Sequence, residues 1–246
     1  MKTKLIIVLF IICLILTGCE KNNEASMPQN IDNSAGPINS NSIDVPVHGN
    51  DPSQNVVPID TGDPLRIKDA VYSEKDGVFH SAFMNMSFVI PEKWNVLDRN
   101  SIASYFGFND EYAKADPYEI LSYHYPYYEM CAKESSNSIY IMIENPPIPM
   151  SDGLEVSSAA NYMDHNNSYL PEYYKSMGLN VSKTERSTVE LAGRNWEKFS
   201  FVASNNASTI TQTMISADKD GCIYTIYITC VGKDITDDII SGITSD

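Results

Sequence analysis

The chain has 246 residues, with 17 basic and 32 acidic side chains and a formal charge of −15 at pH 7. An acid excess on this scale argues against nucleic-acid binding, which draws on a basic patch, and against adhesion to anionic lipid by charge. The four histidines, His48, His80, His124 and His165, are scattered without metal-ligating spacing, so neither a metal nor a resident cofactor is expected.

The N-terminus carries Lys2 and Lys4, then an apolar run over residues 5–16, then Leu16-Thr17-Gly18-Cys19. A basic head, an apolar core shorter than the ~20 residues of a membrane span and a small-residue cleavage site read as a secretory signal. The order leucine, small residue, glycine, cysteine resembles the lipobox of bacterial lipoproteins. That resemblance implies cleavage after residue 18, diacylglycerol on the Cys19 thiol and acylation of the new amine. Two or more acyl chains hold a protein stably on a bilayer. The expected location is the extracytoplasmic face of the cell membrane, with the lipid on Cys19 as the anchor. Loss of Lys2 and Lys4 takes the charge from −15 to −17.

Residues 19–64 are rich in Asn, Ser, Asp and Pro, with seven acids against Lys21 and no apolar periodicity. Such a segment cannot bury enough apolar surface to offset its ordering entropy. It reads as a disordered acidic tether with an r.m.s. reach of ~35–40 Å. Residues 65–246 keep a net charge of −11 and amount to one domain.

Within that domain Asp76-Gly77 marks a turn, and residues 78–83 and 86–90 alternate as two short paired strands. Pro91 ends the second, because it cannot donate to a ladder. Asp98 or Ser101 can cap a short helix that runs through Phe106 and stops at Gly107. Residues 128–134 and 138–144 form a hairpin across Ser136-Asn137. Helical spacing follows over residues 155–177, where Pro171 is expected to kink the helix or begin a second one. A meander of four strands (182–191, 195–203, 208–217 and 222–231) joined by turn chemistry comes next. A closing helix puts Ile235, Ile239, Ile240 and Ile243 on one face. This order predicts an α+β domain, an antiparallel sheet with helices packed on it.

The stretch Phe88-Val89-Ile90-Pro91-Glu92-Lys93-Trp94, a strand ending in Pro-x-x-Trp before a short helix, resembles the PsbP-like superfamily. The hairpin at Gly193 and the closing helix add to the resemblance. It implies a three-layer α/β/α sandwich and non-enzymatic binding roles, and it supplies no catalytic residues. The chain departs from the pattern at Lys93, where the family usually has a small residue or glycine. It also lacks the aromatic-glycine pair often found near Asn85 and Met86.

With Cys13 in the signal and Cys19 acylated, Cys131, Cys222 and Cys230 remain. Cys222 and Cys230 sit ~26 Å apart at the ends of one strand, so any bridge would use Cys131. The alternative is three small buried thiols. Asp218-Lys219-Asp220-Gly221 resembles the start of a calcium loop, but the later acids are missing and a hairpin turn fits better. No G-x-S-x-G nucleophile elbow and no phosphate-cradling glycine loop occurs.

The tyrosines of residues 123–128, preceded by Asp116 and Glu119, offer an interaction surface of Tyr123, Tyr125, Tyr127 and Tyr128. Tyr169, Tyr173 and Tyr174 could join it. The leading expectation is a non-catalytic binding or assembly module of the cell envelope, with an envelope protein, basic in character, as partner. A small-molecule carrier or sensor with a pocket between sheet and helix is the alternative. An envelope hydrolase with carboxylate catalysis ranks last.

Overall fold

A computed structural model describes residues 70–150 and 152–246. The signal, Cys19 and the acidic tether lie outside the described residues. In chain order the first strands are β1 (Val71–Ser73), β2 (Val78–Ser81), β3 (Met86–Val89) and β4 (Asn95–Val96). Three short helices follow: α1 (Arg99–Tyr105), α2 (Asp110–Lys114) and α3 (Pro117–Ser122). Then come β5 (Tyr127–Glu134), β6 (Asn137–Glu144), the two-residue strands β7 (Ile148–Pro149) and β8 (Glu155–Val156), and the long helix α4 (Ala159–Ser176). The meander is β9 (Asn180–Leu191), β10 (Arg194–Ser204), β11 (Thr209–Lys219) and β12 (Cys222–Val231). Helix α5 (Thr236–Ser241) and β13 (Ile243–Ser245) close the chain.

The centre is an antiparallel seven-stranded sheet in the order β4-β5-β6-β12-β11-β10-β9. Its middle strand, β12, is buried at every position from Cys222 to Cys230. A strand buried throughout must be covered on both faces. Period-2 alternation then sorts its side chains. Tyr227 points to the helices, where its hydroxyl meets that of Tyr162 in α4 at 2.7 Å and its ring stacks on Tyr140. On the same face Phe106, just after α1, stacks on Tyr128 at 3.7 Å and meets Tyr140 edge-on. Tyr224 points the other way and stacks on Phe83, in the β2–β3 turn.

That second face is covered by an antiparallel four-stranded sheet, β1-β2-β3-β13, together with α5. The fold is thus α+β, antiparallel and layered: helices, a seven-stranded sheet, then a small sheet with one helix. The hairpin turns follow from backbone geometry. At Ala192-Gly193 and Asp220-Gly221 both central residues have positive φ, as a two-residue type I′ turn requires. The calcium-like sequence is therefore a hairpin. Its first acid, Asp218, accepts the Ala159 backbone N–H at 2.8 Å and joins Ser158 in capping α4.

Three expectations are corrected. The helix begins at Ala159, because Glu155 and Val156 pair with β7. Pro171 does not begin a second helix: α4 runs unbroken to Ser176, and Pro171 is buried with Leu170. That packing offsets the ~3 kcal/mol an interior proline costs a helix. The closing helix stops at Ser241, because Ile243 pairs with Phe88 as an added strand. The three remaining cysteines are buried free thiols.

Candidate functional site

An open cleft of ≈ 770 Å³ lies between α1 and the β4–β5 edge of the large sheet. Its lining includes Lys93, Asn95, Asn100, Ser104, Tyr105, Lys133 and Glu134. Asn95 and Lys133 are directly opposite each other across β4 and β5, so both side chains rise on one face. The Lys133 ammonium stands 4.7 Å from the Tyr105 ring centroid, a cation–π contact. Burial pushes the Tyr105 phenol up to about 12, so it stays neutral across the physiological range. Two bonds fix the connection between sheet and helix. Leu97 N–H donates to Cys131 O at 2.8 Å, and Asp98 caps α1 by accepting from Ser101 N–H at 2.7 Å.

Lys93 arrives by a different device. Trp94 N–H donates to Pro91 O at 3.2 Å, closing a tight turn with Lys93 third in it at φ 70°. That position favours glycine, and a side chain there costs about 1–2 kcal/mol. Trp94 is buried in the core, which holds the turn in place. Backbone strain of this kind gathers at functional sites. Two basic side chains elsewhere are in ion pairs: Lys175 with Glu172, and Arg186 with Asp164 and Glu197. Among the described residues neither Lys93 nor Lys133 is in an ion pair.

The tyrosine surface read from the sequence divides. Tyr123 and Tyr125 are 47% and 37% exposed, but Tyr127 and Tyr128 are 6% and 5% exposed. Tyr127 lies beneath the Arg99 guanidinium, and Tyr128 stacks in the core on Phe106. Neither can meet a partner, because strand β5 is buried on both faces over its first six residues. Asp116 caps α3 by accepting from Tyr118 N–H at 2.9 Å, and Glu119 lies within that helix. Tyr169 and Tyr173 stack in line with His165 along α4, whereas the buried Tyr174 donates its hydroxyl to Gln212 at 2.7 Å.

Two groupings had no signal in spacing. Ser87, His80 and Asp246 meet on the small sheet. Ser87 Oγ and Asp246 Oδ1 both face the same ring nitrogen, His80 Nδ1, at 2.7 and 3.4 Å. A nucleophile relay needs the two ring nitrogens to face different partners, so this is a hydrogen-bonded cluster and not a triad. The second is Glu129, the extra residue of a β-bulge, since Tyr128 pairs with Met142 and Met130 with Ile141. Its carboxylate accepts from Ser81 Oγ at 3.2 Å and from Tyr224 OH at 3.1 Å. Burial pushes its pKa up to about 7, against the opposing pull of those two bonds and of Lys219. A lone acid inside the apolar run of β5 was the available sequence signal.

Among the described residues no three His, Cys, Asp or Glu side chains form a metal-holding group. No described helix is long and apolar enough to cross a membrane.

No family model and no curated protein matches the chain. Solved structures similar to it include two of bacterial proteins. The solution structure of cyanobacterial PsbP (CyanoP) from Synechocystis sp. PCC 6803 is 10% identical, with 69% of this chain and 91% of that chain covered at a TM-score of 0.41. The crystal structure of LpqN, involved in cell envelope biogenesis of Mycobacterium tuberculosis, is 16% identical, with 65% of this chain and 82% of that chain covered at a TM-score of 0.34.

Proposed function

We propose that this chain is a lipid-anchored extracytoplasmic binding module of the cell envelope, without catalysis of its own, and that its ligand occupies the cleft between α1 and the β4–β5 edge. The observation that carries this reading is the presence of two lysines outside any ion pair in one concave site of an acidic domain. The lining supplies ammonium, amide and hydroxyl groups, which hold a ligand by charge and hydrogen bonds. Cys19 would fix the protein to the bilayer, and the tether would let the domain stand off from it. Of the functions considered from sequence, a carrier or sensor suits a cleft better than a tyrosine interface whose half is buried.

The anchor has a direct check. Cys19→Ser should move the protein from the membrane fraction to the soluble extracytoplasmic fraction. Retention at the membrane would remove the lipid from the account. The site has another. A photo-reactive residue at Ser104 in the full-length anchored protein should give adducts in intact cells. A photo-reactive residue at Tyr125 should give few. Adducts confined to Tyr125 would return the interface to the exposed tyrosines.

A further inference from the structure

Resting on that reading of the cleft, we infer that its ligand is a hydroxyl-rich monoanion, a sugar acid, with the carboxylate held between Lys93 and Lys133 and the hydroxyls met by Asn95, Asn100 and Ser104. Three observations converge on this class. The first is the backbone at Lys93. At φ 70° glycine would be easier to accommodate, yet the position carries an ammonium beside the cleft. The side chain places an ammonium at the cleft where glycine would leave none.

The second is the charge of the site. Lys93 and Lys133 against Glu134 in the same lining give a local charge of +1 in a domain whose overall charge is strongly negative. One negative charge balances that; a dianion overshoots it and meets Glu134. The third is the wall, where Asn95, Asn100 and Ser104 are exposed neutral groups that both donate and accept, which suits hydroxyls.

The test is calorimetric titration of the full-length protein in detergent with four probes: glucuronate, glucose, acetate and glucose 6-phosphate. Glucuronate should bind tightest. Glucose lacks the charge, acetate lacks the hydroxyls, and glucose 6-phosphate carries excess charge. Lys93→Gly should weaken glucuronate about fivefold, the size of one exposed charge contact, while raising the melting temperature because the strained backbone is relieved. Lys93→Arg should restore affinity. Lys133→Met keeps the stem over Tyr105 and should lose affinity by a similar factor.

Lys93→Gly that stabilises without losing affinity would overturn the role of the charge. Glucose binding as well as glucuronate would overturn the anion. Failure of glucuronate to bind, with adducts still forming at Ser104, would overturn the sugar acid and leave the cleft as a site for another ligand. Failure of both would remove the cleft.

Discussion

Glu129→Gln is expected to stabilise the folded chain by about 3 kcal/mol at pH 8 and to change its stability little at pH 4. The carboxyl is buried at the bulge of β5, between the two sheets, where desolvation disfavours the ionised form. Its pKa rises from 4.5 to about 7 in the folded protein. Below 4.5 the group is protonated in both folded and unfolded chains, and the fold carries no penalty. Between 4.5 and 7 the unfolded chain releases the proton while the folded one keeps it, so stability falls as pH rises. Above 7 both are ionised and the whole cost is present.

The groups around Glu129 fix the sign. Ser81 and Tyr224 donate to the carboxylate, and Lys219 favours its charge. These three lower the pKa, and burial outweighs them. Tyr224 is itself fully buried and neutral, its phenol held well above the usual range by desolvation. Glutamine keeps the shape and removes the charge. Urea unfolding midpoints from pH 4 to pH 8 are the measurement. Wild type should lose stability across that interval and Glu129→Gln should stay level. Parallel curves would mean that Glu129 is solvated in the native state.

Tyr128→Ala is expected to cost 3–5 kcal/mol of stability. Tyr128 is buried, stacks on Phe106 at 3.7 Å, and its backbone N–H is bonded to the Tyr112 hydroxyl at 3.0 Å. Truncation leaves a cavity under α1, the helix that forms one side of the cleft. Tyr125→Ala should lower the thermal midpoint far less than Tyr128→Ala, because Tyr125 is 37% exposed. The pair separates structure from interface. Lost binding in Tyr128→Ala with a lowered midpoint reports a damaged core. An unchanged midpoint in Tyr128→Ala would overturn its place in the core.

The long elements were legible because their periodicity is strong and local. The meander of β9 to β12 was read within two residues at each end, and the turns at Ala192-Gly193 and Asp220-Gly221 declared themselves by residue type. Helices α2 and α3 were missed because five and six residues are too few to show a helical period. Their caps, Asn109 and Asp116, and Pro117 in the first turn of α3 were the local signs. Strand β13 was missed for another reason: it exists because β3 offers it an edge, and that edge is set by residues more than 150 positions earlier.

By itself the sequence determined what depends on neighbours along the chain: an N-terminal segment like a lipoprotein signal, a following stretch rich in acids, Asn, Ser and Pro, an antiparallel α+β order and a pattern of turns. Only the tertiary structure decided which side chains are surface and which are core. Tyr125 and Tyr127 are two apart, yet one is partly exposed and the other lies buried under Arg99, because what covers a strand is supplied by distant segments. The same holds for the cleft. Lys93 and Lys133 are forty positions apart and come to one site because β4 pairs with β5. Glu129 likewise gains its raised pKa from a bulge and from a second sheet folded over it, which no spacing in β5 encodes.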